Sequence, residues 1–134
     1  MSEERLNRPG LTLKETFNLY LNAINTTDLE ALMSTVTAGP KMVFLTTSGR
    51  IIDTVEGYRQ FHIDWFSESD WKIDFHMMEL HEGAEYGYIL TKYHYQGKDP
   101  DGKDYESDSY FTLIFHMEDG MWKVVQDQIT PIKK

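Results

Sequence analysis

The sequence predicts an α+β domain, a cone-shaped roll of three N-terminal helices packed on a strongly curved, mainly antiparallel sheet. Two observations carry this expectation. Apolar residues recur every three to four positions as far as Phe66, and every second position from Trp71 onward. Helices first and a strand meander after them make a two-layer fold with helices on one sheet face. The length of 134 residues confines the chain to one domain, large enough to bury a core unaided by disulfides or metal. Residues 1–10 are polar and end in Pro9-Gly10, so they read as a flexible lead-in to a single domain at 11–134.

The first helix opens on a capping box, Thr12 to Glu15, and carries Leu13, Phe17, Tyr20, Leu21 and Ile24 on one face. A second box, Thr27 to Glu30, opens a helix bearing Leu29, Leu32, Met33 and Val36, which Gly39-Pro40 stops. A short strand at 42–47 turns at Ser48-Gly49 into 50–52. Asp53 or Thr54 then caps a third helix, whose face is Val55, Tyr58, His62 and Trp65. From residue 71, Trp71, Ile73, Phe75 and Met77 alternate with Lys72, Asp74 and His76. Long strands follow at 86–95, 105–117 and 121–130, separated by Asp99-Pro100-Asp101-Gly102 and Glu118-Asp119-Gly120. The first of these turns superficially resembles a calcium loop, but it lacks the ligand spacing and the terminal Glu.

Both faces of the strand at 105–117 are partly apolar. One carries Tyr110, Thr112, Ile114 and His116; the other carries Ser109, Phe111, Leu113, Phe115 and Met117. Helices cover only one side of a sheet, and a large bare apolar face is rare. A homodimer through the outer sheet face is therefore expected, with the Phe111 face assigned to the partner.

Charge and motifs exclude several functions. The chain carries 13 basic and 22 acidic residues, a net charge of −9. That field repels nucleic acid and anionic membranes alike. No apolar run is long enough to span a bilayer. The opening residues lack a secretory signal pattern and cysteine is absent, so a cytoplasmic setting is expected. There is no Gly-rich phosphate loop, no Gly-x-Ser-x-Gly elbow and no His-Glu-x-x-His, and no cofactor is expected. His62, His76, His81, His94 and His116 have no metal-ligand spacing, so no metal site is expected either.

What remains is a pocket. Helices against a curved sheet leave a cavity at the open end, lined by polar residues on otherwise apolar faces. Tyr20 and His62 interrupt apolar helix faces. Asp127 is in phase with Val125 and Ile129, although Trp122, Val124, Gln126 and Gln128 form a competing face that would turn Asp127 outward. Phe44, Trp65, Tyr93, Tyr110 and Thr112 are the expected lining. A phenol, an imidazole and a carboxyl group in one apolar hollow can donate, accept and relay protons. Each also has a plain structural role available: Tyr20 and His62 as satisfied core residues, the tryptophans as core mass.

The element order and the ending Gly120-Met121-Trp122-Lys123-Val124-Val125-Gln126-Asp127-Gln128-Ile129-Thr130-Pro131 resemble the SnoaL-like and ketosteroid-isomerase-like families of the nuclear-transport-factor-2-like superfamily. The segment from Tyr20 through Asp28-Leu29-Glu30-Ala31-Leu32 adds to the likeness, which covers about residues 11–131. The resemblance implies a cone-shaped α+β barrel with an internal pocket, usually dimeric. It places Tyr20 on the oxyanion-hole tyrosine of ketosteroid isomerases and His62 at a second pocket position. It also marks departures: no carboxylate stands in Val43-Phe44-Leu45-Thr46, where the isomerase base belongs, and Thr112 stands near the second oxyanion donor. Asp127 is then the available base, or the group that orients His62. The functions that fit are an acid–base enzyme (isomerase, hydratase, dehydratase or cyclase) on an apolar carbonyl-bearing substrate, a non-catalytic binding module for a small apolar ligand, and a dimerisation domain.

Overall fold

The computed structural model describes residues 3–39 and 41–133. The Met1-Ser2 start, the proline of the Gly39-Pro40 stop and Lys134 lie outside the described residues. Helix α1 spans Leu13–Asn25 and opens on the predicted box: the Thr12 hydroxyl accepts from the Glu15 amide at 3.1 Å, and the Glu15 carboxylate accepts from the Thr12 amide at 2.8 Å. Leu13, Phe17, Tyr20 and Ile24 form its buried stripe. Helix α3, Val55–Phe66, is capped by Thr54, whose hydroxyl accepts from the Gly57 amide at 2.9 Å.

Helix α2, Leu29–Ser34, departs from the expectation at both ends. Its cap is Asp28, which accepts from the Ala31 amide, and not Thr27. The chain reverses so tightly after α1 that Thr27 takes a left-handed conformation, φ 50°, and the Asp28 amide returns to the Ala23 carbonyl. Thr27 thus ends the first helix instead of starting the second. The helix also stops early. Val36 bridges to Val124, with the Val124 amide on the Thr35 carbonyl at 2.7 Å, so the backbone there leaves the helix for the sheet.

The strands are β1 (Val43–Leu45), β2 (Ile51–Ile52), β3 (Lys72–Glu82), β4 (Tyr86–Lys98), β5 (Asp104–Glu118) and β6 (Met121–Pro131). They form one six-stranded sheet in the order β2-β1-β6-β5-β4-β3. The predicted antiparallel meander is its larger part. The feature beyond that expectation is a parallel pairing of β1 with β6, which sets Phe44 beside Asp127. The segment 99–103 is a turn: the Gly102 amide donates to the Asp99 carbonyl, and the Asp99 carboxylate accepts from the Asp101 and Lys103 amides. Asp119 and Gly120, at φ 53° and 80°, make the tight β5–β6 hairpin.

The competing phases of the last strand are both right, each over half its length. Ile114 pairs with Gln126 and Phe115 with Val124, which leaves Val125 as the extra residue of a β-bulge. Trp122 and Val124 face the core before the bulge; Asp127 and Ile129 face inward after it.

The face assignment of β5 is corrected. Ser109, Phe111, Leu113 and Phe115 are buried within the chain, under the helices, so Phe111 is not a surface residue. The uncovered face carries Tyr88 and Tyr110, which are 37% and 38% exposed. Helix α1 approaches the sheet so closely that a Cβ at Gly87 would lie 2.7 Å from both Leu13 Cδ2 and the His81 carbonyl oxygen. The expected lead-in makes specific contacts. Arg5 pairs with Asp28 and Glu30, the Asn7 side-chain amide donates to the Trp122 carbonyl at 2.8 Å, and the Gly10 amide donates to the Gly120 carbonyl. No helix among the described residues is long and apolar enough to cross a membrane.

Candidate functional site

A cavity of ≈ 390 Å³ opens between α1, α3 and the inner sheet face. Its walls are aromatic, with Phe44 from β1, Phe61 and Trp65 from α3, Phe75 from β3, Tyr93 from β4 and Phe111 from β5. Phe44 and Phe61 meet edge to face at 4.9 Å, and Trp65 stacks on Trp71 at 4.5 Å, so the walls brace one another. The β1–β2 turn contributes Thr46, Thr47, Ser48 and Arg50.

Tyr20, His62 and Asp127 all line this cavity. The sequence elements that put them there are the α1 stripe, the α3 stripe and the β6 bulge. Their contacts differ from the expected triad in one respect: Asp127 is joined to two tyrosines and not to His62. The Tyr58 hydroxyl donates to Asp127 Oδ2 at 2.8 Å, and the Tyr20 hydroxyl approaches the same oxygen at 3.2 Å. The two phenol oxygens are 2.6 Å apart. Asp127 Oδ1 is buried and has no hydrogen-bond partner among the described residues.

Burial pushes the Asp127 carboxyl up from its ordinary 3.8 to about 7, against the Tyr58 and Tyr20 hydrogen bonds that favour the ionised form. Burial, with the Asp127 charge beside them, also holds both phenols well above their ordinary value of 10. The tyrosines therefore stay protonated and act as donors, while Asp127 exchanges its proton near neutrality.

His62 answers to a different partner. Its Nδ1 lies 2.8 Å from the Tyr58 carbonyl oxygen, which can only accept, so Nδ1 carries the proton and Nε2 is the ring's acceptor. Burial lowers its pKa to about 4. The ring sits among Tyr58, Phe61, Trp65 and Phe66 as a neutral imidazole and does not orient Asp127.

Of the expected lining, Phe44, Trp65 and Tyr93 are in the wall. Tyr110 and Thr112 are not, because they share the outer sheet face with Ile114, while their neighbours Ser109 and Phe111 point in. The residue that sequence reasoning passed over is Tyr58. It was legible as a member of the α3 stripe, one turn before His62, where a hydroxyl on an otherwise apolar face signals a buried partner. Among the described residues no three His, Asp or Glu side chains are grouped to hold a metal ion.

A family model described as a SnoaL-like domain matches residues 13–132. No curated protein sequence matches the chain significantly. Among solved structures, a ketosteroid isomerase-like protein from Erwinia carotovora atroseptica superposes with a TM-score of 0.77 at 12% identity, covering 92% of this chain and 95% of that one. A candidate dehydratase of the NTF2-like family from Streptomyces avermitilis gives 0.75 at 10% identity, covering 92% and 95%. The S. rosetta CaMKII hub gives 0.73 at 14% identity, covering 90% and 94%. The architecture described above is the NTF2-like cone fold, with its sheet left open.

Proposed function

The chain belongs to the SnoaL-like domain family, and from that premise we propose that it is a cofactor-independent acid–base enzyme acting on an apolar substrate that bears a carbonyl group. One observation carries this reading: Asp127 lies buried in an aromatic cavity with one oxygen held by two phenols and the other unpartnered. Proton chemistry needs a group that is neither wholly acid nor wholly base at working pH. A carboxyl group at about 7 meets that need.

The chemistry follows from where the charge moves. Ionised Asp127 draws the Tyr58 proton toward Oδ2, while the Tyr20 proton is shared between Oδ2 and the Tyr58 oxygen. Asp127 turns its unpartnered Oδ1 to the substrate and removes a proton from the carbon next to the carbonyl, which neutralises the carboxylate and leaves an enolate. Tyr20 lines the cavity, so its hydroxyl can turn from the neutralised acid to the enolate oxygen; the hydrogen bond follows the negative charge. Where the substrate carries a β,γ double bond the intermediate is a dienolate, and return of the proton from Oδ1 to its γ-carbon moves the double bond into conjugation and isomerises the substrate. Where the substrate instead carries a β-hydroxyl, the enolate re-forms the carbonyl as the β C–O bond breaks, and the Asp127 proton passes to the departing oxygen, which leaves as water and restores the carboxylate. The aromatic walls exclude water and hold the apolar body, and His62 packs behind Tyr58 as a neutral ring.

The test uses 2-tetralone, an apolar ketone with exchangeable α-protons, in D₂O followed by NMR. The protein is expected to accelerate deuterium uptake above buffer, with a rate that rises as pH passes through about 7, where Asp127 ionises. Asp127→Asn should return exchange to the buffer rate. Exchange equal to buffer, or unaffected by Asp127→Asn, would overturn the reading.

A homodimer is the second element of the proposal. Tyr88 and Tyr110 stand exposed on the sheet face that no helix covers, and one structural neighbour is described as a hub. A second copy of the same face would bury both rings.

A further inference from the structure

The cavity has two chemically distinct ends. Its depth is aromatic and ends at Tyr20 and Asp127; its mouth is the Thr46–Arg50 turn, with Ser107 on β5 across from it. Arg50 is the one lysine or arginine among the cavity-lining residues. It is exposed, and its guanidinium has no ion-pair or hydrogen-bond partner among the described residues. The turn that presents it is braced: the Thr46 amide donates to the Arg50 carbonyl at 3.0 Å, and the Thr46 hydroxyl accepts from the Arg50 amide at 3.2 Å. The backbone of Arg50 is thus fixed while its charged end is left unused.

An uncommitted cation at a cavity mouth matters in this chain because the rest of the molecule repels anions, with a net charge of −9. Deepening the reading above, and resting on it, we propose that the substrate is an elongated apolar acid whose anionic end is held by Arg50 at the mouth while its carbonyl reaches Tyr20 and Asp127. The sheet sets the length. Phe44 pairs with Asp127, Thr46 follows two residues on, just past the end of β1, and Arg50 sits opposite Thr46. Strand rise and spacing put the Arg50 and Asp127 α-carbons roughly 12 Å apart. That spacing, with the guanidinium at the open end and the carboxyl at the buried one, favours an extended acid over a compact one. Thr47, Ser48 and Ser107 supply hydroxyls around the anion, and a guanidinium suits a carboxylate through paired N–H donors.

Two isosteric probes separate charge from shape: 2-naphthylacetate and its neutral amide, 2-naphthylacetamide, titrated calorimetrically into the intact protein. The acid is expected to bind about tenfold tighter than the amide, with the preference falling as salt is added. Arg50→Gln should abolish the preference by weakening the acid far more than the amide; Arg50→Lys should keep part of it. Equal affinities in the wild type, or a preference that survives Arg50→Gln, would overturn the anion anchor while leaving the cavity reading intact. A preference lost instead in Tyr20→Phe would place the anion at the deep end and overturn it as well. Failure of both probes to bind would overturn the cavity reading itself, and the anchor with it.

Discussion

Asp127 and His62 share one hydrophobic shell yet titrate in opposite senses, and this has a measurable thermodynamic signature. Burial raises the Asp127 pKa to about 7, so between about 4 and 7 the folded state holds a proton that the unfolded state has released. The stability this gives is complete below about 4 and is lost as pH rises to 7. Burial lowers the His62 pKa to about 4, so between about 4 and 6.5 the unfolded state holds the extra proton. The stability from neutral His62 is complete above 6.5 and is lost as pH falls to 4. Across the shared window the two slopes, each about 1.4 kcal/mol per pH unit, nearly cancel. Replacing one member should expose the other. Relative to wild type, Asp127→Asn should lose stability on acidification from 6.5 to 4, and His62→Gln should gain it, as read from urea midpoints across that range. Parallel curves for all three proteins would mean that neither group titrates in the cavity as described.

At the scale of elements, close approach and phase decide the architecture. Gly87 lets α1 settle on β4, and a methyl group there would press on the His81 backbone, which cannot rotate away. Gly87→Ala should cost about 2 kcal/mol of unfolding free energy by denaturant titration; an unchanged midpoint would show that α1 can lift without penalty. What the sequence disclosed follows the same division. The helix stripes and the Thr12 cap were legible, and the α3 cap was narrowed to Asp53 or Thr54, because the local period and cap chemistry agree with the tertiary outcome. The Thr27 box failed because its hydroxyl competed with a chain reversal that only the fold imposes. Asp127 could be recognised as chemical but not oriented, since an extra residue in a strand leaves no mark in the hydrophobic pattern beyond two overlapping phases. Tyr110 and Thr112 were misplaced, and Phe111 with them, because β5 is apolar on both faces and alternation alone cannot say which one the helices cover. Arg50 was silent in sequence: a lone arginine in a turn acquires meaning only from the hollow beside it.

For the whole molecule, the uncovered sheet face is where self-association has to be tested. Tyr110→Glu places a charge at the middle strand of that face without touching the core or the cavity. Light scattering is expected to show a dimer for the wild type and a monomer for the variant; a dimer in both would put the contact elsewhere. The same strand carries Phe111 on its other side, so assembly and cavity are separated by a single sheet thickness. The irregularity at Val125 separates two further tasks along one strand. Upstream of it, Trp122 and Val124 hold the cone together; downstream, Asp127 and Ile129 face the hollow. Were that kink to migrate two positions toward the C-terminus, Gln126 would swing inward and Asp127 out to water, with the upstream packing untouched. An ionisable wall would become an amide wall. A scaffold with this kind of movable joint can trade proton transfer for passive capture by relocating one residue's worth of slack.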